Sequence, residues 1–159
     1  DNGYTEPDPR EDLCGNDVGR KLLILARELD LQNEFEEIAI QNLIPEHLRE
    51  GDVADFLNKL KEFDPIYDKI KADQKPNHVL RYIGELSGDL QHDKGILEVK
   101  LVSVPSDTAL GGLKGSDSFF EIYTESYGDR PIVIQGAGAG SAVTARGVFG
   151  DILRLSDKG

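Results

Sequence analysis

The sequence predicts an α+β fold, with a mostly antiparallel or mixed sheet and helices on one face. Helical patterns fill most of the first half of the chain, and strand patterns joined by turn residues follow them. A doubly wound parallel sheet would instead alternate strands and helices along the chain. The length of 159 residues suits one domain, or one domain with an attachment.

The composition excludes several classes of protein. A net charge of −12 argues against nucleic acid or an anionic membrane surface as the partner. No apolar run approaches the roughly 20 residues of a membrane-spanning helix. A single cysteine, Cys14, excludes an internal disulfide and suits a reducing compartment. We expect the protein in the cytoplasm, or in a plastid if it comes from a plant.

The chain opens with a stiff acidic segment that leads into a helix. Residues 6–9 read Glu-Pro-Asp-Pro, and each proline fixes its own φ and restricts the residue before it. We expect Asn16 to cap the helix, with Asp17 in its first turn. The buried stripe of this helix is predicted to be Val18, Leu22, Leu25 and Leu29.

Asp17 and Lys21 lie four residues apart and therefore share one face of this helix. With the acids and prolines before them, they indicate a site for an ammonium-bearing substrate beside a proton donor. The alternative is an acidic surface loop with an exposed ion pair worth about 0.3–0.5 kcal/mol. Composition alone leaves both interpretations open.

The remaining elements follow from periodicity and turn residues. Predicted strands cover 38–44, 79–86, 96–104, 117–126 and 131–135, and predicted helices cover 52–63, 64–73 and 141–155. The Ser-Gly-Asp sequence at 87–89 is expected to form the turn between the second and third strands.

Two glycine-rich segments are candidate ligand contacts. Residues 111–116 lack phosphate-loop spacing and are interpreted as a loop near a site. Residues 136–140 join a strand to a helix, where bare amides could bind an anion or the turn could simply pack closely. The three histidines have no ligand spacing, so no metal site is predicted.

The opening segment resembles the signature of the homoserine dehydrogenase family. The matching residues are Gly3 to Arg10, Asp12, Gly15, Asp17, Val18 and Arg20 to Leu22. Residues 80–84, 113–117 and 133–140 match later parts of the same family in order. The continuation at 22–28 looks most like bifunctional aspartate kinase–homoserine dehydrogenases.

This resemblance implies an NAD(P)H-dependent interconversion of aspartate semialdehyde and homoserine, on the route to threonine and methionine. It implies that Lys21 is the catalytic acid or base. The other implied site residues are Glu6 and Asp17 on the substrate ammonium, Asp12 and Tyr4 at the substrate pocket, and Gly3 and Gly140 at the nicotinamide cofactor, NADP or NAD.

The resemblance also implies how the chain is organised. Residues 1–135 correspond to the family's substrate-binding and dimerisation domain, and 136–159 to a turn and helix that return to a nucleotide-binding domain. The Rossmann motif of that domain is not in this sequence, so we expect the chain alone to be inactive. Expected partners are the protein's own nucleotide-binding domain and further copies of the chain, as a homodimer or larger oligomer.

Two other classes of function remain open from the residues. A regulatory module would bind an amino acid without chemistry, and its binding would not depend on Lys21. A structural dimerisation module would form dimers whether or not Glu6 and Asp17 were present.

Overall fold

The computed structural model describes residues 7–138 and 140–156. These residues confirm the α+β class and divide into two compact units, the first ending at Pro105 and the second beginning at Ser106. The predicted boundary after Gln135 is a division by role, and it stays a prediction. No described helix combines the length and apolar character needed to cross a membrane.

The first unit contains a three-stranded sheet and four α-helices. The helices are α1 (Pro9–Leu13), α2 (Asn16–Glu28), α3 (Val53–Asn58) and α4 (Asp64–Ala72), and the strands are β1 (Ala39–Ile40), β2 (His78–Asp89) and β3 (Lys94–Pro105). The strand order is β1-β3-β2, with β2 antiparallel and β1 parallel to β3. Short 3-10 helices at Phe35–Glu37, Glu46–Leu48, Leu60–Phe63 and Leu90–His92 complete the unit.

Helix α2 packs on the sheet, and this contact forms the main hydrophobic core. The buried residues of that core are Leu22, Ala26, Leu31, Ile38, Leu97 and Val99. The predicted stripe of α2 was partly wrong, because Leu25 and Leu29 are 40% and 51% exposed. Gly19, Leu22 and Ala26 form the buried face instead, since small residues let the helix approach the sheet closely.

The start of α2 also differs from the prediction. Asn16 is the first helical residue rather than the cap, and Gly15 occupies the N-cap position with φ 85° and no side-chain cap. That backbone conformation is one that glycine adopts without strain.

Two predicted elements are shorter than expected. Strand β1 covers two residues of the expected 38–44, because the Leu43 amide leaves the sheet and donates to the Leu13 carbonyl (3.1 Å). The expected helix 52–63 is α3 followed by the 3-10 helix Leu60–Phe63. Asp52 caps α3 by accepting a hydrogen bond from the Ala54 amide (2.7 Å).

The hairpin of β2 and β3 is confirmed, but its turn lies further along than predicted. Both strands extend past 87–89, and the reversal occurs at 90–93, where Asp93 has φ 53°. Gly88 faces Gly95 in the ladder with φ 97°, and a Cβ there would collide with the Lys94 carbonyl. Glycine therefore lets the ladder continue through this position.

The second unit contains an antiparallel strand pair and the last helix. Strand β4 (Asp117–Ile122) pairs with β5 (Ile132–Ala137), and helix α5 spans Ser141–Ser156. The predicted strand pair and helix are confirmed, although β4 ends four residues early. The residues between β4 and β5 form turns, in which Gly128 has φ 56°.

Candidate functional site

The predicted site residues fall on three parts of the chain. Asp12 lies exposed on α1, Asp17 and Lys21 lie on the first two turns of α2, and Gly140 lies in the second unit between β5 and α5. Gly3, Tyr4 and Glu6 lie outside the described residues.

The junction of α1 and α2 runs from the last residue of α1 to the N-cap of α2, residues 13–15, and fixes the direction of α2 after α1. We call it the α1–α2 corner. Asp8 caps α1 by accepting a hydrogen bond from the Arg10 amide (2.9 Å), and Pro9 begins the helix. The helix ends at once, with the Cys14 amide bonded to the Arg10 carbonyl (2.9 Å). Gly15 then reverses the backbone before α2.

Asp17 and Lys21 form the exposed ion pair that the alternative interpretation described, with 2.6 Å between Oδ2 and Nζ. Both side chains are open to solvent, Asp17 57% and Lys21 72% exposed. An exposed helix pair of this kind is weak, so either partner can exchange it for a ligand at little cost. The carboxylate can accept hydrogen bonds from an ammonium group, and the lysine can donate a proton.

Asp8 and Arg10 form a second pair, which sequence reasoning missed as a unit. The guanidinium bonds both carboxylate oxygens (2.7–3.0 Å) and the Gly51 carbonyl (3.0 Å). It also lies 5.4 Å from the centre of the Phe56 ring. The Arg10 hydrogen bond lowers the pKa of Asp8, and the same bond raises the pKa of Arg10. Asp8 is thus committed to Arg10, which ties α1 to the segment around α3.

Tyr82 is a further residue beside the corner. Its hydroxyl donates to the Gln41 carbonyl (2.7 Å) and occupies the space that a Cβ on Gly15 would need. Only the family-like stretch at 80–84 pointed to this region, and nothing in that stretch identified Gly15 as a neighbour.

The glycine-rich turn before α5 combines close packing with open backbone. The Gly138 amide donates to the Ser116 carbonyl (3.1 Å), and a Cβ on Gly138 would overlap the Ser118 side chain. Gly140 has φ 121°, and its carbonyl accepts hydrogen bonds from the Thr144 amide (3.1 Å) and hydroxyl (3.2 Å). Close packing explains why residue 138 is a glycine. Gly140 instead directly precedes α5, whose first backbone amides have no partner within the helix.

Within the described ranges, no group of three or more His, Cys, Asp and Glu side chains is arranged to hold a metal ion. His47 lies 2.9 Å from a Glu62 oxygen, and His92 lies 2.9 Å from an Asp89 oxygen. Both histidines are therefore engaged in local surface pairs.

Comparison with known proteins identifies the family. A family model described as homoserine dehydrogenase matches residues 1–153. The chain belongs to the homoserine dehydrogenase family. The homoserine dehydrogenase of Paracoccidioides brasiliensis is 42% identical over 99% of the chain and 42% of the relative.

Bifunctional aspartokinase/homoserine dehydrogenases are about as similar to the chain as the Paracoccidioides homoserine dehydrogenase is. The chloroplastic bifunctional aspartokinase/homoserine dehydrogenase 1 of Zea mays is 44% identical over 97% of the chain and 16% of the relative. The bifunctional enzyme of Haemophilus influenzae is 38% identical over 96% of the chain and 18% of the relative. The chain therefore spans well under half the length of these relatives.

Solved structures resemble the chain over nearly its whole length. A Candida auris protein of unknown function is 39% identical with a TM-score of 0.81, covering 99% of the chain and 43% of that structure. S. aureus homoserine dehydrogenase is 17% identical with a TM-score of 0.60, covering 97% of the chain and 34% of that structure. This second likeness supports the fold alone.

Proposed function

We propose that the protein containing this chain is a homoserine dehydrogenase, which interconverts L-aspartate 4-semialdehyde and L-homoserine with NADPH or NADH. Family membership supports the reaction. The observation that carries the assignment of roles is the solvent-open pair of Asp17 and Lys21 at the start of α2.

Asp17 would hold the substrate. Its exposed carboxylate can accept charge-assisted hydrogen bonds from the α-ammonium group that the substrate and product share. Glu6 is the proposed second carboxylate on this ammonium, with Asp12 and Tyr4 beside the pocket. Asp8 is excluded from this role because Arg10 holds both of its oxygens.

Lys21 would supply and remove the proton. When the substrate ammonium takes over the Asp17 carboxylate, Lys21 loses its partner and can turn to the aldehyde oxygen. As the aldehyde carbon gains a hydride, the oxygen becomes an alkoxide and takes a proton from the Lys21 ammonium. In the reverse direction the neutral amine takes the hydroxyl proton of homoserine.

The backbone amides at the start of α5 are suitable contacts for a nicotinamide cofactor. The bare amides there, after Gly140 at φ 121°, suit a carboxamide or phosphate oxygen. When bound, the cofactor supplies or accepts the hydride. Gly140, together with Gly3, would let the backbone approach it closely, while most of its contacts would come from the protein's own nucleotide-binding domain.

We assign the wider setting on the same basis. Residues 1–135 would serve substrate binding and dimerisation, and 136–159 would return to the nucleotide-binding domain. The protein would act in threonine and methionine biosynthesis as a homodimer or larger homo-oligomer, in the cytoplasm or a plastid. Neither nucleic acid nor a membrane is a proposed partner, in keeping with the net charge of −12.

Calorimetric titration with homoserine tests the substrate site. We expect binding to the chain, or to a longer polypeptide that adds the nucleotide-binding domain, and we expect Glu6→Ala or Asp17→Ala to abolish it. Lys21→Ala should retain binding but lose turnover in the longer polypeptide, because the lysine acts in the chemistry, and this loss of turnover is what separates the enzyme from a regulatory module. Absence of binding in both polypeptides would contradict the proposal.

A further inference from the structure

We propose that Tyr82 is a positioning residue for the reaction, because its hydroxyl sets where the α1–α2 corner lies and so where Asp17 and Lys21 begin. This inference rests on the proposed function for the roles of those two residues. Its structural basis is a contact between β2 and the N-cap of α2.

Gly15 is the point of contact. It is buried, has φ 85°, and starts α2 without any side-chain cap. The atoms nearest to the position of a Cβ on Gly15 are the Tyr82 hydroxyl, Ile40 Cγ2 (2.8 Å) and Tyr82 Cζ (3.2 Å). The corner therefore rests directly on the end of the Tyr82 side chain, and a residue larger than glycine would push it away.

The Tyr82 hydroxyl is itself held in place by the sheet. It donates to the Gln41 carbonyl (2.7 Å). The Gln41 amide donates to the Val99 carbonyl (2.8 Å), and its side-chain oxygen accepts from the Leu101 amide (2.9 Å). Because Leu101 also faces Tyr82 in the ladder of β2 and β3, the tyrosine and its acceptor are fixed to the same strand.

A second contact holds the other side of the corner. The Leu13 carbonyl accepts a hydrogen bond from the Leu43 amide (3.1 Å), two residues after Gln41. The corner thus lies between segment 41–43 and Tyr82. A tyrosine hydroxyl is protonated and can donate at neutral pH, and burial raises the pKa of Tyr82 further.

The contact with Tyr82 lies close to both proposed site residues. Asp17 is two residues after Gly15, and Lys21 is six residues after it, so both lie within two helical turns of the contact. A small displacement of the corner moves the carboxylate and the ammonium together. Catalysis is sensitive to misplacement of this kind, whereas overall stability need not be.

The test is Tyr82→Phe in the full-length enzyme, with Tyr123→Phe as the control. Tyr123 lies in the second unit, where its hydroxyl donates to a Glu121 carboxylate oxygen (3.2 Å), and it supplies none of the atoms nearest to the Gly15 Cβ position. We expect Tyr82→Phe to lower kcat/KM for homoserine about tenfold and to leave KM for the cofactor within about twofold. Tyr123→Phe removes a tyrosine hydroxyl from the second unit and should leave kcat/KM within about twofold.

A second pair of variants gives an independent readout. Gly15→Ala should lower the thermal midpoint, and the further loss should be smaller in the Tyr82→Phe background, where the colliding hydroxyl is gone. Equal kcat/KM in the two tyrosine variants, or strictly additive losses with Gly15→Ala, would overturn the positioning role. Failure of the wild-type enzyme to oxidise homoserine would instead refute the proposed function.

Discussion

At the scale of single residues, two ion pairs near the start of the chain have opposite characters. The Asp8–Arg10 pair is largely shielded, with side chains 29% and 13% exposed, and it contacts Gly51 and Phe56. The Asp17–Lys21 pair is exposed to solvent, at 57% and 72% of the two side chains, with 2.6 Å between its charged atoms. The shielded pair suits a structural role, and the open pair is available to a substrate.

We expect Lys21→Ala in the full-length enzyme to lower kcat by about 10²–10⁴-fold, because a positioned proton donor contributes rate in that range. Asp17→Ala should act mainly on KM for homoserine. Steady-state kinetics in both directions measure these effects, with Lys69→Ala, an exposed lysine of α4, as the control. Unchanged kcat in Lys21→Ala would show that Lys21 is not the proton donor.

The Asp8–Arg10 pair predicts a dependence of stability on pH. The pKa of Asp8 is lowered from 3.8 in the folded state, so the pair stabilises the fold fully above that value. The stabilisation is lost as pH falls from about 3.8 through the lower folded pKa. Asp8→Asn should therefore be less stable than wild type at pH 7, and the difference should shrink in acid.

Urea denaturation at several pH values measures this difference. Asp129→Asn serves as the control, since it removes the same charge from an exposed turn in the second unit. A constant difference between wild type and Asp8→Asn down to pH 2 would show that the carboxylate charge is not what stabilises the fold.

At the scale of elements, small residues decide how α2 meets the sheet. Ala26 is fully buried, and a Cβ on Gly19 would lie 3.0 Å from Ile40 and 3.3 Å from Phe35. Larger side chains at Gly19 and Ala26 would hold α2 away from β2 and β3. Leu25 and Leu29 are therefore left outside this face, although their spacing fits a helical stripe equally well.

The buried face of α2 predicts different stability costs for substitutions on its two sides. Leu22→Ala should destabilise the chain by about 2–5 kcal/mol, because it removes a buried side chain from the main core. Leu25→Ala makes the same chemical change on the open side of the helix and should cost less than about 1 kcal/mol. Chemical denaturation of the two variants measures both values, and equal losses would show that the assigned face is wrong.

At the scale of the whole molecule, helix α5 exposes apolar side chains along its length. They are Val143, Val148, Phe149, Ile152, Leu153 and Leu155. A patch of this kind commonly marks an interaction surface. The proposed nucleotide-binding domain is the occupant that family membership favours.

The proposal predicts the activity of the chain by itself. We expect no NADPH-dependent reduction of aspartate semialdehyde by these 159 residues, because the proposed cofactor contacts lie mostly in another domain. Activity should appear in a longer polypeptide that includes the nucleotide-binding domain and should be lost again there in Lys21→Ala. Turnover by the chain alone, measured as NADPH absorbance, would contradict this expectation.

The sequence by itself determined features that depend on short-range patterns. Alternation and turn residues predicted the β2–β3 hairpin, and helical spacing predicted α5 to within one residue. The i,i+4 spacing predicted the contact of Asp17 with Lys21. The α+β class followed from the order of such patterns, and the signature at the start of the chain, with three later motifs, identified the family.

The tertiary structure decided what depends on residues far apart in the chain. Gly15 meets Tyr82, Arg10 meets Phe56, and Leu13 bonds to Leu43, and no local pattern encodes these partners. The bond from Leu43 to Leu13 also explains why β1 is short, and the close approach of Gly19 and Ala26 to their neighbours explains why α2 buries Ala26 rather than Leu29. Periodicity shows which faces of an element could be buried, but packing against a particular neighbour selects the one that is.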